Sequence, residues 1–258
     1  MNTFFLPKQD AHLFYHDFPG ELPALVYLHG LGSSSSSAFP RCAGHPQLRD
    51  HRSILIDFFG YGYSNRPADY SYAMEEQAET AASLLESLEM KNSVLIGHSM
   101  GGAIAILLAH SRSDLISKLI VAEGNLDPEP GFVSGRIASM DERAFVDRGY
   151  ERFMSDIGSA GYHDYAGTGR AADPLGLHRS ATDLIADRAP TYREMLYQMK
   201  IPRTYIFGEM TLPDPDEEIL RSHDIDVRIV PNAGHDMMSD NPDGFALAIA
   251  DAIDAISL

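Results

Sequence analysis

The clearest pattern along the chain is a set of short apolar runs that alternate with amphipathic stretches. Six of these runs are rich in β-branched residues and nearly free of polar ones, which is typical of strands buried on both faces of a parallel sheet. They are ALVYLH from Ala24, SILIDF from Ser53, SVLIGH from Ser93, KLIVAE from Lys118, RTYIFG from Arg203 and DVRIVP from Asp226. Between most of them apolar positions recur at helical spacing, as in Met74–Leu88 and Gly101–His110. The alternation predicts an α/β fold with a mostly parallel central sheet flanked by helices.

The alternation is interrupted once, between residues 127 and 200. This stretch has no strong strand signal, but DERAFVDRGYERFMSDI, SATDLIADRA and TYREMLYQM are predicted to be helices. An interruption of about 70 residues is too long for a simple connection. We therefore predict a core of residues 1–126 and 201–258 with an inserted helical cap, or lid, at 127–200. A helical subdomain without a gating role is the alternative.

The third apolar run ends in GHSMG, a candidate nucleophile motif. Gly97-His98-Ser99-Met100-Gly101 fits G-x-S-x-G, with strand signals before it and helix signals after it. A nucleophile at so sharp a turn has a strained backbone, so the residues two positions before and after it must be small. The free N–H groups of the following helix favour negative charge at that point. We predict that Ser99 is a nucleophile, the alternative being a glycine-rich turn without chemistry.

A serine hydroxyl needs a base to accept its proton. Among the 11 histidines, His235 lies in PNAGHDMM, after the last predicted strand and before the helical pattern PDGFALAIADAI. A loop at the carboxyl end of a strand can reach a site at that edge of the sheet. His98 is the rival, but it lies in the strained turn beside Ser99, where we expect it to point elsewhere. We therefore predict that His235 is the base.

Four motifs in this order resemble those of the α/β-hydrolase superfamily. They are LHGLGSS from Leu28, DFFGYGYSNRP from Asp57, GHSMGG from Gly97 and PNAGHDMM from Pro231. The resemblance covers nearly all of the chain outside 127–200, where this superfamily usually carries its cap. It implies an α/β-hydrolase fold and an oxyanion hole formed by the backbone N–H groups of Leu31 and Met100. Phe59 replaces a proline of the superfamily pattern, which affects a turn.

The four motifs do not by themselves identify the acid that orients the histidine. The superfamily usually places it after the strand TYIFG, where this chain has Thr211, which cannot carry a charge. Asp214 could substitute in a rearranged loop, and Glu209 is a poorer candidate. The haloalkane dehalogenases and zearalenone-hydrolysing lactonases place the acid one strand earlier, where this chain has Glu123 in LIVAEGNLDP. A buried charge needs a partner, which His235 would supply. We predict Glu123 as the acid, with Asp214 as the alternative.

Around these groups we expect the substrate pocket to be lined by residues of the same motifs. His29 and Gly30 follow the first predicted strand, Phe58 and Phe59 follow the second, and Met237 follows the histidine loop. Core packing explains the three apolar side chains about as well.

Composition limits the partners. The charge of 20 − 37 = −17 disfavours nucleic acids, anionic membranes and polyanionic substrates, and favours a neutral or cationic small molecule. No apolar run approaches the ~20 residues of a membrane span, and MNTFFLPKQDAH does not resemble a signal peptide. The single Cys42 excludes an internal disulfide. We expect a cytoplasmic protein, with either a monomer or a homodimer open, with no metal or cofactor and with GSSSSS, Gly32 to Ser37, as a surface loop.

These features predict a serine hydrolase that cleaves a carboxylic ester, lactone or thioester of a small molecule through an acyl-enzyme on Ser99. A C–C bond hydrolase, an amidase or aminopeptidase and a haloperoxidase-like enzyme are alternatives, because the fold and triad do not determine the substrate. A small-molecule receptor without turnover and a purely structural protein are alternatives outside enzymes. The absence of Asp at position 99 argues against dehalogenase and epoxide hydrolase chemistry.

Overall fold

An eight-stranded sheet forms the centre of the protein, in a computed structural model that describes residues 2–254. The strand order is β1-β2-β4-β3-β5-β6-β7-β8, and the strands from β3 to β8 are parallel. The strands are β1 Asn2–Leu6, β2 Ala11–Phe18, β3 Leu22–Leu28, β4 His51–Asp57, β5 Ser93–His98, β6 Ile116–Ala122, β7 Arg203–Gly208 and β8 Asp226–Val230. The predicted α/β fold with a mostly parallel sheet is confirmed.

The sequence pattern missed the two antiparallel strands. β1 pairs with β2, and β2 pairs with β4, at one side of the sheet. Strand β1 is mostly exposed and ends the sheet, while β2 carries His12, His16 and Asp17 between its apolar residues. Strands with a solvated side lack the continuous apolar run that identified the six buried ones.

Helices cover both faces of the sheet, and further helices form most of the chain segment that connects β6 to β7. They are α1 Ser35–Ala38, α2 Pro40–Ala43, α3 Met74–Ser87, α4 Met100–Ser111, α5 Phe132–Ala138, α6 Glu142–Ala144, α7 Tyr150–Ser159, α8 His163–Gly169, α9 Pro174–Leu184, α10 Tyr192–Gln198, α11 Asp216–Ser222, α12 Met237–Asp240 and α13 Pro242–Asp254. A π-helical segment, Phe145–Gly149, joins α6 to α7, and a 3₁₀ turn, Glu209–Thr211, follows β7. No helix within residues 2–254 is long and apolar enough to span a membrane.

The sheet separates two apolar cores, and successive residues of a strand enter opposite ones. In β3, Val26 and Leu28 belong to the core that includes residues of α3 and α4, whereas Leu25 and Tyr27 belong to the core that includes residues of α2 and α13. All four side chains are fully buried. This burial on both faces explains why the central strands are apolar throughout.

The stretch between β6 and β7 is helical, with α5 to α10 in the region predicted as a cap. Helix α10 packs against α4, and α9 packs against α3. The predicted helix over SATDLIADRA is misplaced, because α9 begins at Pro174 and ends at Leu184. Its start is set by Asp173, whose carboxylate accepts the Gly176 N–H at 3.0 Å. Movement of these helices as a lid stays a prediction.

The serine run is not the surface loop that the sequence suggested. Ser35 is fully buried and begins α1, which Ser34 caps. The Ser35 hydroxyl donates to the Tyr27 carbonyl at 3.0 Å, and the Ser36 hydroxyl donates to Asp57 Oδ2 at 2.7 Å. Serines can be buried here because each of these hydroxyls has an acceptor.

Arg193 at the start of α10 fastens the helical insertion to the core. Its Nε donates to Asp127 Oδ2 at 2.7 Å, and its two terminal nitrogens donate to Asp216 at 2.9 and 2.8 Å. Hydrogen bonds between an arginine and a carboxylate contribute more to stability than hydrogen bonds between neutral groups do.

We expect Arg193→Met to lower the free energy of unfolding by about 1–3 kcal/mol, because it leaves both carboxylates without this partner. Urea denaturation measures the change. Arg221→Met is the matched control, since Arg221 forms an exposed pair with Glu217 one helical turn away and should change stability by less than about 0.5 kcal/mol. Equal effects of the two substitutions would contradict the anchoring role.

Candidate active site

Ser99 lies at the turn between β5 and α4 with a backbone that few residues adopt. Its φ is +53° and its ψ is −122°, a strained region for a residue with a side chain. A Cβ atom at Gly97 would overlap the Gly101 carbonyl, and one at Gly101 would overlap the Leu28 carbonyl. The two glycines therefore allow β5, α4 and β3 to approach closely enough to impose this turn.

The residues predicted to form an oxyanion hole lie on both sides of Ser99. Gly30 is so near that a Cβ atom on it would be 3.2 Å from Ser99 Cβ, and Leu31 follows it. Met100 is the first residue of α4, so its N–H has no acceptor within that helix. The two N–H groups come from the end of β3 and the start of α4, which meet at the carboxyl edge of the sheet.

Glu123 directly follows β6, and its carboxylate is held by three groups. Oε1 accepts the Thr211 hydroxyl at 2.6 Å and the Gly208 N–H at 2.9 Å, while Oε2 lies 3.7 Å from His235 Nδ1. Burial raises the pKa of Glu123, but the contacts with His235, Thr211 and Gly208 outweigh it and leave the pKa below its usual value. These contacts keep the Glu123 carboxylate ionised.

His235 lies in the loop after β8, with 49% of its side chain accessible. Burial lowers its pKa, but Glu123 and the charge of Asp236 outweigh this, so the pKa is raised above the ordinary histidine value. Asp214 does not approach this histidine: its Oδ1 accepts the Asp216 N–H at 2.8 Å at the start of α11. The structure brings Glu123, not Asp214, to His235.

The sequence suggested that His98 points away from the site, and this expectation is wrong. It is 4% exposed, lines the same cavity as Ser99, and its Nε2 donates to the backbone carbonyl of His235 at 2.9 Å. Burial, reinforced by the charge of His235, lowers the pKa of His98 to about 3. A neutral His98 therefore holds the loop that carries His235 without adding a positive charge beside it.

Ser99, His235 and Glu123 line one cavity of about 460 Å³ between the sheet edge and the helical insertion. This volume is in the range of small-molecule sites. Ser99 Oγ makes no hydrogen bond to another described residue. Within residues 2–254 no cluster of three or more His, Cys, Asp or Glu residues could hold a metal ion.

Of the five residues expected in the pocket wall, only Gly30 lines the cavity. His29, Phe58, Phe59 and Met237 are fully buried behind it, which corrects the expectation. The Nδ1 of His29 donates to the Gly30 carbonyl at 2.9 Å and its Nε2 accepts the Phe58 N–H at 3.1 Å, so these residues brace the loop next to Ser99. Burial lowers the pKa of His29, which keeps the ring neutral for this pair of bonds.

The motifs also did not identify the cavity wall supplied by the helical insertion. Phe132, Ile157, Tyr162, Tyr165 and Leu184 line it, and they come from helices or helix ends that are remote in sequence from the four motifs. Their apolar character was visible in the sequence, but helical spacing alone could not tell which of them face a cavity.

Comparison with known proteins identifies the family. A model of the alpha/beta hydrolase family matches residues 25–248. The chain belongs to the alpha/beta hydrolase family. This hydrolase is 29% identical over 257 residues to the sn-1-specific diacylglycerol lipase ABHD11 of Mus musculus, covering 90% of this chain and 81% of the mouse protein.

Solved structures agree with the fold of this alpha/beta hydrolase. An esterase from Exiguobacterium antarcticum (EaEST) superimposes with a TM-score of 0.80 at 20% identity, covering 98% of this chain and all of the esterase chain. A mutant of the N-acyl homoserine lactonase AidH, in complex with N-hexanoyl homoserine, gives a TM-score of 0.77 at 18% identity and covers 98% of this chain and 96% of its own. At these identities the likeness shows a shared fold.

We expect the His235 imidazole of this hydrolase to titrate above the ordinary value for histidine, and Glu123→Gln to move its pKa downward. The substitution removes the hydrogen bond to an ionised carboxylate, which is the main contribution that raises this pKa, together with the charge of that carboxylate. NMR titration of the ring protons measures both. Asp214→Asn is the control and should leave the titration unchanged. A titration that moves in Asp214→Asn and not in Glu123→Gln would contradict the assignment of the acid.

We expect His98→Leu to slow the reaction of Ser99 with a fluorophosphonate by about 10- to 100-fold, because small displacements of catalytic groups have effects of this size. The matched variant His98→Gln keeps an N–H donor near the position of Nε2 and should react within about threefold of the native rate. Thermal unfolding of both variants checks that the fold is intact. Equal rates in the two folded variants would show that the bond to the His235 carbonyl does not matter.

Proposed function

We propose that this alpha/beta hydrolase is a serine hydrolase that cleaves a carboxylic ester, lactone or thioester of a small molecule through an acyl-enzyme on Ser99. The observation that carries the proposal is that Ser99, His235 and Glu123 line a single cavity, with Glu123 ionised beside His235. A strained serine, a histidine and a carboxylate in this arrangement can activate a hydroxyl for attack on a carbonyl carbon.

In the first half of the reaction, His235 accepts the Ser99 proton as Ser99 Oγ bonds to the carbonyl carbon. The carbonyl oxygen becomes negative and is held by the N–H groups of Leu31 and Met100. Glu123 stabilises the positive imidazolium from its Nδ1 side. His235 then transfers the proton to the leaving oxygen or sulfur, the bond to the carbonyl carbon breaks, and the acyl group stays on Ser99.

In the second half, a water molecule takes the place of the departed group. His235 accepts a proton from this water while its oxygen attacks the acyl carbon, and the same two N–H groups hold the oxyanion. The bond to Ser99 Oγ breaks, and His235 returns the proton to Ser99. The products are a carboxylic acid and the regenerated enzyme, with no cofactor in either half.

The comparisons support an acyl bond as the target. The relative in mouse is named a lipase, and the two solved structures are named an esterase and a lactonase. All three names refer to proteins that open an ester linkage. The names differ in the molecule that carries that linkage, so the proposal extends to the bond and not to a particular substrate.

The proposal predicts that the purified protein hydrolyses p-nitrophenyl butyrate and is labelled by a fluorophosphonate probe. Ser99→Ala should abolish both, because the acyl group and the probe attach to the same oxygen. Glu123→Gln should lower kcat/KM by about 10²- to 10⁴-fold, since the histidine loses the group that orients it.

Asp214→Asn is the matched control and should keep kcat/KM within about twofold of the native value. An active Glu123→Gln beside an inactive, folded Asp214→Asn would transfer the acid to Asp214. A native protein that binds ester analogues tightly without labelling or hydrolysis would contradict the hydrolase and favour the receptor alternative.

A further inference from the structure

Apart from the histidines, the titratable groups with a charge that line the cavity of Ser99 are carboxylates. Asp164 and Asp236 line it together with Glu123, and none of the described residues in its wall is Lys or Arg. Asp236 is the neighbour of His235, and Asp164 lies in the first turn of α8, so the two carboxylates belong to the core and to the helical insertion respectively. Both side chains are exposed.

These two carboxylates differ from Glu123 in what surrounds them. The charge of Glu123 is engaged by Thr211, Gly208 and His235. Asp236 precedes α12, but its carboxylate does not cap that helix. Its charge raises the pKa of the adjacent His235 and adds to the rise in the pKa of Tyr165, which lines the cavity from α8. An incoming substrate therefore meets negative charge that the protein has not neutralised locally.

Much of the remaining wall is apolar, which strengthens the effect of these charges. Phe132, Ile157, Leu184 and Met238 contribute to it. A cleft with charge of one sign and walls of low polarity concentrates the electric field more than an open surface does. Arg136 approaches the wall from outside the cavity lining: it lies 5.7 Å from the centre of the Phe132 ring, and it is paired with Asp156 at 3.9 Å.

We infer that the cavity selects uncharged and cationic acyl substrates over anionic ones, and that Asp164 and Asp236 are the residues that determine this specificity. The inference rests on the proposed function and narrows it. A carboxylate or phosphate that an acyl chain carries into the cavity is repelled by both side chains and finds no Lys or Arg in the described wall. A neutral chain meets apolar side chains, and a cationic group is attracted.

The inference divides the possible substrates by chemistry. Acyl thioesters of phosphorylated carriers and substrates with a free carboxylate on the acyl chain are disfavoured. Neutral esters and lactones, and esters with a quaternary ammonium group, are favoured. The charge of −17 on the whole chain acts in the same direction at longer range.

Three p-nitrophenyl esters of matched length test the inference. They are the hexanoate, which is neutral, the adipate monoester, which ends in a carboxylate, and the 6-(trimethylammonio)hexanoate, which ends in a cation. We expect the native enzyme to have a kcat/KM at least about tenfold lower for the anionic ester than for the neutral one. Added NaCl should reduce this difference, because salt screens charges that are exposed to solvent.

Asp164→Asn and Asp236→Asn should each raise the ratio of anionic to neutral kcat/KM by about threefold to tenfold. The ratio is the proper readout because Asp236 also acts on the pKa of His235, and such an effect alters the rates for both esters alike. Asp243→Asn is the matched control: Asp243 is exposed in the first turn of α13 and does not line the cavity, so the ratio should not change.

Equal kcat/KM values for the neutral and anionic esters in the native enzyme would overturn the inference while leaving the hydrolase intact. A preference that persists unchanged in both Asn variants would overturn the assignment to Asp164 and Asp236. Hydrolysis of none of the three esters would overturn the proposed function, and this inference with it.

Discussion

The close approach of β3, β5 and α4 is the constraint on which the candidate site depends. It is possible only because Gly97 and Gly101 have no side chain where the three elements meet. The chain must then reverse its direction within one residue, and Ser99 adopts a strained backbone conformation with a φ of +53°. This places its hydroxyl at the sheet edge, beside Leu31 and at the start of α4. The buried packing of β5 and α4 supplies the stability that holds an unfavourable backbone in place.

A second constraint is the cost of a buried carboxylate at the end of β6. Glu123 can lie there because Thr211 and Gly208 donate to it and His235 faces it. Thr211 occupies the position at which the superfamily usually has its acid, and its hydroxyl instead donates to Glu123, the acid that we propose. The loop after β7 thus stabilises the carboxylate that the loop after β6 supplies. A residue at 211 that donates a hydrogen bond is compatible with a carboxylate at 123.

Local sequence patterns could predict those parts of the fold and site that depend on neighbours along the chain. The buried central strands and the Ser99 turn are of this kind, and so is Glu123 as a polar residue that ends an apolar strand. The strands β1 and β2 could not be identified, because β1 is an exposed edge strand and β2 has polar residues at its partly solvated positions. The serine run was wrongly predicted as a surface loop because its acceptors, Tyr27 and Asp57, are neighbours only in the folded chain.

Pocket residues were the least predictable part of the site. His29 and Phe58 flank the site in sequence, yet the hydrogen bond between them directs both side chains into the protein interior. The opposite wall depends on the packing of α5 against α9 and of α7 against α8, and amphipathic spacing indicates only that one side of each helix is covered.

The charges around His235 serve two purposes that oppose each other for some substrates. Glu123 and Asp236 raise the pKa of His235 and so favour the imidazolium that the proposed mechanism requires, whereas His98, kept neutral by burial, adds no competing positive charge. Under the inference drawn above, the same negative charge at Asp236 repels an anionic acyl group that approaches the cavity. A site that raises the proton affinity of its histidine with carboxylates would therefore disfavour anionic substrates, unless Lys or Arg in the wall provided a counter-charge.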